Sequence, residues 1–114
     1  MENTRPDQLN EYHELVHYGL MVGEAPGLAE VREELCHLVL VPQQLHELIE
    51  LDTFAMYAIL HDEDIQDYVL RDHPTRPLTH WWWYLGKLRV GTYPAELLPE
   101  HLRTIYLETK SAAA

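Results

Sequence analysis

Apolar residues recur along most of the chain at spacings of three and four positions, which places them on one face of a helix. The most regular set is Leu28, Val31, Leu35, Leu38 and Val39. This set predicts a helix that begins after Gly27 and ends before Pro42. An earlier set is Leu9, Tyr12, Val16 and Leu20. It predicts a first helix from about Pro6 to Val22, ended by Gly23.

The apolar positions after Pro42 predict either one long helix or two helices, depending on how Asp52 is placed. One continuous helix aligns the set Leu45, Leu48, Ile49, Met56, Ile59 and Leu60. It also turns Asp52 toward the interior, where a carboxylate without a partner is costly. As an N-cap, Asp52 would instead accept hydrogen bonds from free backbone donors at the start of a second helix. The N-cap is the favoured interpretation, and the continuous helix is the alternative.

The second half of the chain predicts shorter helices separated by turns. Helix starts are expected after the carboxylates at 62–64, at Thr75 or Thr79, and at Pro99. Residues 38–41 and 88–90 are the only short strand candidates. The sequence therefore predicts an all-α fold, a compact single-domain bundle of five to six short helices over residues 1–110. Residues 111–114 are expected to be a frayed tail or a cloning remnant.

Acidic and basic residues are distributed unevenly. The first seventy residues carry fifteen acidic and two basic side chains (−13), and the last forty-four carry four acidic and six basic (+2), which sums to the overall −11. This charge disfavours direct binding to nucleic acids and anionic membranes, because phosphates attract cationic side chains. It favours encounter with a basic protein, although an acidic composition also serves solubility alone.

Cysteine content and the amino terminus bear on location. Cys36 is the single cysteine, so an intrachain disulfide is excluded and a reducing compartment is favoured. The amino terminus lacks the basic and apolar runs of a secretory signal, and no segment approaches the roughly 20 apolar residues that a membrane helix needs. We therefore expect a cytoplasmic protein whose Cys36 is a packed, inert thiol.

A short motif near the amino terminus could carry metal chemistry. His13-Glu14-Leu15-Val16-His17 matches H-E-x-x-H and, over these five residues, resembles the zincin metallopeptidases. The resemblance implies zinc held by His13 and His17, Glu14 as the general base, and a further ligand downstream. The candidates for that ligand are Glu30, Glu33 and Glu34. The alternative is that both histidines pack along the border of the core, with no cofactor bound.

The second predicted helix carries charges that are expected to face solvent. Glu30, Glu33, Glu34 and His37 lie off its apolar stripe. Arg32 and His37 have a spacing with a slight likeness to some small helical ribonucleases, but the adjacent glutamates would repel RNA. A surface salt bridge between Arg32 and a neighbouring glutamate explains the arginine more simply.

Three consecutive tryptophans form the other unusual segment. Three indoles in a row cannot all enter one core from a single helix, and Trp81 and Trp82 fit the buried face. Trp83 is therefore expected at the surface, where it would form a partner-binding patch with Lys87, Arg89 and Tyr93. The alternative is that Trp83 packs beneath the Tyr93-Pro94 turn.

These features predict a small acidic protein-interaction or regulatory module of the adaptor or inhibitor type, and not an enzyme. It would bind a protein partner, basic if the acidic half takes part, or itself as a homodimer, through the C-terminal Trp/Arg surface. One alternative is a zinc protein or hydrolase that uses His13, Glu14 and His17. Another is an inhibitor whose carboxylates imitate the phosphates of a nucleic acid.

Overall fold

The computed structural model describes residues 5–113, and five α-helices carry most of this range. They are α1 (Asp7–Glu14), α2 (Leu28–Cys36), α3 (Pro42–His61), α4 (Leu85–Val90) and α5 (Glu100–Ala113). Short 3₁₀ turns lie at Leu20–Val22, Trp81–Trp83 and Ala95–Leu97. Residues 5–113 contain no strand, so the predicted all-α fold is confirmed. Residues 1–4 and 114, part of the predicted domain and tail, lie outside the described range.

The first helical segment is longer than α1 alone. Helix α1 continues directly into a π-helical turn at Leu15–Gly19 and then into the first 3₁₀ turn. Gly23 ends the segment with φ of 80°, and a Cβ there would lie 2.2 Å from the carbonyl oxygen of Asp64. Only glycine fits this position without strain. The predicted first helix and its end at Gly23 are confirmed, and the π turn is the feature that periodicity did not predict.

Helix α3 runs without interruption through Asp52, so the prediction that Asp52 is an N-cap is wrong and the alternative is correct. Asp52 is buried because it has partners on two other segments. Arg32 donates from Nε and Nη2 to the two carboxylate oxygens, each at 2.9 Å. The Tyr12 hydroxyl donates to Oδ1 at 2.5 Å. Arg32 is thus a core residue and not the surface salt-bridge partner that the sequence suggested.

We call Tyr12, Arg32 and Asp52 the buried triad, and it changes the pKa of the tyrosine hydroxyl. Burial, reinforced by the charge of Asp52, raises the pKa of the Tyr12 hydroxyl well above its ordinary value of 10. The hydroxyl therefore stays protonated and serves as a donor. The triad joins α1, α2 and α3. Although α3 has twenty residues, no helix of the described range is both long and apolar enough to cross a membrane.

The segment between α3 and the tryptophans folds as turns, so the predicted short helix after residues 62–64 is not formed. Some of its backbone donors close local turns, and two bond to distant carbonyls. The amide of Gln66 donates to Gly23 at 2.9 Å, and that of His73 donates to Trp83 at 2.8 Å. The helix expected from Thr75 or Thr79 begins only at Leu85, as α4, and Gly91 is its C-cap.

Tyrosine hydroxyls hold this irregular segment and the tail onto the core. Tyr84 donates to the carbonyl of Arg76 at 2.6 Å, and Tyr93 donates to that of Leu78 at 2.5 Å. Tyr106 of α5 donates to the carbonyl of Tyr93 at 2.8 Å. Each hydroxyl donates to a backbone carbonyl that lies outside the helices and has no partner in regular secondary structure. Such carbonyls need a donor when they are buried. The turns are therefore fixed by side chains.

We expect Asp52→Asn to lower the free energy of unfolding by about 3–5 kcal/mol, because the Arg32 guanidinium would remain buried without a counter-charge. Tyr12→Phe should cost about 1 kcal/mol, the value of one hydrogen bond. The double change Arg32→Met with Asp52→Leu should cost less than Asp52→Asn, since no unpaired charge is left. Urea unfolding followed by far-UV circular dichroism measures all three.

Glu50→Gln is the matched control on the same helix, because the Glu50 side chain is 64% exposed. It should leave the free energy of unfolding within about 0.5 kcal/mol of the wild type. If Asp52→Asn were no more destabilising than this control, the proposed role of the buried pair would be contradicted.

Candidate functional site

The four residues predicted to form a C-terminal partner surface are not displayed together. Trp83 is 1% exposed and Tyr93 is 2% exposed, so the expected exposure of Trp83 is wrong. The tryptophans form a 3₁₀ turn instead of an α-helix. With three residues per turn, consecutive side chains point in three directions, and all three indoles are buried.

Arg89 and Lys87 are half-buried and already take part in the fold. Arg89 donates from Nη1 to the carbonyl oxygens of Ile59 at 3.0 Å and Asp62 at 2.7 Å. These carbonyls lie at the C-terminal end of α3, where a cation is favourable. The backbone amide of Lys87 donates to the Asp72 carboxylate at 3.0 Å. Arg89 thus acts as a helix cap, and the predicted patch is not assembled.

Glu33 is the residue toward which the tryptophan turn converges. Its Oε1 accepts from the indoles of Trp83 at 2.8 Å and Trp82 at 3.1 Å, and from Nδ1 of His80 at 2.9 Å. Its Oε2 lies 2.8 Å from Nε2 of His37. The expectation that Glu33 faces solvent is wrong. The sequence offered no local signal, because Trp82 and Trp83 are 49 and 50 positions away.

These donors set the ionisation of Glu33. Partial burial alone would raise the pKa of its carboxyl group, but hydrogen bonds from Trp83, His80, His37 and Trp82 outweigh that effect. The pKa of Glu33 falls from 4.5 to about 2. The carboxylate is therefore fully ionised at neutral pH and serves as a fixed acceptor.

Two guanidinium groups lie over the indoles. Arg32 is 4.3 Å from the Trp82 ring centroid, and Arg76 is 4.3 Å from that of Trp83. The Nη1 atom of Arg32 has no hydrogen-bond partner among the described residues. The guanidinium group of Arg32 contacts the face of the Trp82 ring in a cation–π interaction. This interaction offsets part of the free-energy cost of burying Nη1 without a hydrogen-bond partner. Arg32 thereby links the buried triad to the tryptophan turn.

Cys36 lies beside this carboxylate at the end of α2. The thiol is exposed, so the expectation of a packed thiol is wrong. Its Sγ is 3.8 Å from Oε2 of Glu33. Burial of part of the side chain and the charge of Glu33 raise the pKa of the Cys36 thiol. A protonated thiol is a poor nucleophile, so the arrangement does not favour cysteine catalysis.

The two histidines of the H-E-x-x-H motif come together at the edge of a surface groove. His13 lies in the last turn of α1 and His17 lies in the π turn, with ring centroids 4.5 Å apart. Glu14 is exposed and is not among the lining residues of this groove. Within the described range, the only compact group of three ligand atoms lies elsewhere, at Glu33, Cys36 and His80. Zinc binding by His13 and His17 stays a prediction.

The groove lies between the first helical segment and α3 and has a volume of about 440 Å³. Its lining residues are His13, His17, Gln43, His46, Glu47, Glu50, Leu51 and Phe54. Glu47 holds the guanidinium of Arg5 through both carboxylate oxygens, and this bond lowers the pKa of Glu47. The carboxylate of Glu50 lies 3.7 Å from Nε2 of His46. The groove therefore combines imidazoles, carboxylates and an aromatic ring.

Aromatic side chains continue from this groove along α3. We define the aromatic row as His13, His17, Phe54, Tyr57 and His61. Ring centroids lie 4.8 Å apart for His17 and Phe54, and 5.9 Å apart for Tyr57 and His61. Phe54 and Tyr57 are helical neighbours on α3 and are 58% and 50% exposed. On the adjoining 3₁₀ turn, Met21 and Val22 are also exposed.

Sequence reasoning identified the two histidines of this row but missed its other members. A usable signal existed, since the predicted buried stripe of α3 does not include Phe54 or Tyr57. Large aromatic residues off the buried stripe of a helix indicate a surface with a partner or a function. Comparison with protein-family models, curated proteins and solved structures found no match to this chain.

We expect Glu33→Gln to lower the free energy of unfolding by about 2–3 kcal/mol, because two indole donors and His80 lose a charged acceptor. A group whose pKa is lower in the folded state than in the unfolded state stabilises the fold at pH values above its unfolded pKa. This stabilisation is lost as the pH falls through the pKa of the folded state. The difference from the wild type should therefore be complete above about pH 5 and shrink toward pH 2. Urea unfolding at several pH values measures this difference.

Glu34→Gln is the control, because Glu34 follows Glu33 on α2 and its side chain is exposed. Its effect should stay within about 0.5 kcal/mol at every pH. A loss for Glu33→Gln that is equally small would show that the carboxylate does not organise the tryptophan turn.

Proposed function

We propose that this protein is a binding module that holds a segment of a partner protein in the groove between the first helical segment and α3. The partner segment would carry basic side chains for the groove and apolar side chains for the aromatic row. The observation that carries this proposal is the half-exposed pair Phe54 and Tyr57 beside the carboxylates Glu47 and Glu50. The class of function expected from the sequence is kept, and its location moves from the C-terminal patch to this face.

The aromatic row supports the apolar part of the proposal. An aromatic side chain buries about 150–250 Å² when it is fully covered. Phe54 and Tyr57, each at least half exposed, therefore offer roughly 200 Å², or about 5 kcal/mol before the cost of association. Two adjacent anchors of this kind are typical of the residues that dominate protein interfaces.

The charge of the groove supports a basic partner. Glu47 already binds a guanidinium, that of Arg5, with both oxygens, which is the geometry used to recognise arginine. Glu50 is mostly exposed, and its nearest partner is the His46 ring. The first seventy residues, which contain both carboxylates, carry a charge of −13. This charge speeds the encounter with a cationic surface.

The same charges argue against a second copy as the partner. In a two-fold dimer the same surface meets itself, so the exposed Glu50 of one chain would lie near Glu50 of the other. Like charges brought together at an interface are unfavourable. The aromatic row also argues against the alternative of an inhibitor that imitates nucleic-acid phosphates. Such an inhibitor would use its carboxylates alone and would not need exposed aromatic side chains.

A photo-crosslinking experiment tests the proposal in cells that encode the protein. With p-benzoylphenylalanine in place of Tyr57, we expect an adduct with a partner whose crosslinked segment, mapped by mass spectrometry, is rich in Lys or Arg. The same probe at Val39, which is fully exposed on the α2–α3 connection, is the positional control. Glu47→Gln with Glu50→Gln should lower adduct yield about fivefold, since two charge contacts of about 0.5–1 kcal/mol each are removed.

Glu96→Gln with Glu108→Gln makes the same change in net charge at two exposed positions outside the groove. It should leave the adduct yield unchanged. The proposal is overturned if position 57 yields no adduct, if positions 39 and 57 yield the same adducts, or if the adduct is a second copy of this chain. An equal loss with both glutamine pairs would also overturn it, because net charge alone would then explain the binding.

A further inference from the structure

A thiol, a carboxylate and an imidazole meet at the C-terminal end of α2. Within residues 5–113, the ligand atoms of Cys36, Glu33 and His80 all lie within 4.8 Å of one another. Sγ of Cys36 is 3.8 Å from Oε2 of Glu33, and Nδ1 of His80 is 2.9 Å from Oε1. We propose that these three side chains bind one divalent transition-metal ion of the zinc class. This site is separate from the groove of the proposed function and from the His13–His17 pair.

The ligand types select the metal. Thiolate and imidazole are preferred by Zn²⁺ and its analogue Co²⁺, whereas Mg²⁺ and Ca²⁺ require oxygen ligands. The 3.8 Å between Sγ and the carboxylate oxygen is close to the separation of two ligands on a tetrahedral zinc ion, given bonds of about 2.3 and 2.0 Å. Three protein ligands leave the fourth position open to water or to another ligand.

The surroundings hold the carboxylate in place. The indoles of Trp82 and Trp83 donate to Glu33 and are buried, so the carboxylate cannot rotate freely. Outer hydrogen bonds of this kind orient metal ligands and raise affinity. The nearby guanidinium of Arg32 is neutralised by Asp52, so it opposes a cation only weakly.

Metal binding requires two proton changes at this site. Nδ1 of His80 lies 2.9 Å from Oε1 of Glu33 and donates to it in the present arrangement, since an ionised carboxylate only accepts. To bind a metal through Nδ1, the neutral ring must carry its proton on Nε2. The Cys36 thiol must release its proton to solvent, so binding becomes stronger as pH rises. No redox change is involved.

Titration of the untagged, reduced protein with Co²⁺ tests the site. We expect a thiolate-to-cobalt charge-transfer absorption that saturates at one ion per chain and disappears when Zn²⁺ is added. Cys36→Ser should abolish the absorption. Because Cys36 is exposed, that variant should keep the wild-type fold. His80→Gln keeps a donor to Glu33 but removes the imidazole, and it should weaken Co²⁺ binding at least about tenfold.

His17→Ala removes the other histidine pair and is the matched control, with absorption and affinity expected to equal those of the wild type. Thermal unfolding gives a second readout, since Zn²⁺ should raise the Tm of the wild type and of His17→Ala but not that of Cys36→Ser. The site is refuted if Co²⁺ produces no charge-transfer band. It is equally refuted if folded His80→Gln binds Co²⁺ as tightly as the wild type, or if Cys36→Ser retains the full Zn²⁺ effect on Tm.

Discussion

The buried ion pair between Arg32 and Asp52 is the interaction on which this structure depends. Two charges in an apolar interior are costly unless they are paired and hydrogen-bonded to one another. Both oxygens of Asp52 accept from Arg32, and Tyr12 supplies a further donor. Because the three residues lie on α2, α3 and α1, their contacts hold these helices in one relative position. With Arg32 turned inward, Glu33 is rotated by about 100° around α2, toward the tryptophan turn.

This arrangement divides the charged groups of the acidic half into two kinds. Asp52 is buried and Glu33 is half-buried, and each accepts from donors that would otherwise be buried without a partner. Glu47 and Glu50 remain at the surface beside Phe54 and Tyr57. Helix α3 therefore presents its buried face to the core and its aromatic face to solvent. The proposed partner would cover that aromatic face, whereas the proposed metal site belongs to the inward-facing carboxylate of α2.

Apolar periodicity predicts the first, second and last helices because each of them packs a single face on the core. It extends the second helix too far, since α2 ends at Cys36 and leaves Leu38 and Val39 exposed. It cannot decide the position of Asp52, since the partners Arg32 and Tyr12 lie 20 and 40 positions away. It misplaces Trp83 because it assumes an α-helix where the chain forms a 3₁₀ turn. The H-E-x-x-H motif locates two rings of the aromatic row. The rings of Phe54, Tyr57 and His61 are neighbours by helical spacing on α3. The contact between His17 and Phe54 forms only when α3 packs beside the first helical segment, which no local pattern contains.

The central claim is that α2 directs two consecutive charged side chains, Arg32 and Glu33, into hydrogen bonds with buried partners. Hydrogen exchange measured by NMR at the guanidinium of Arg32 and the indole N–H groups of Trp82 and Trp83 tests it most directly. The account predicts that these protons exchange slowly, with protection approaching that of the most stable core amides. Exchange at the rate of solvent-exposed arginine and tryptophan side chains would contradict it.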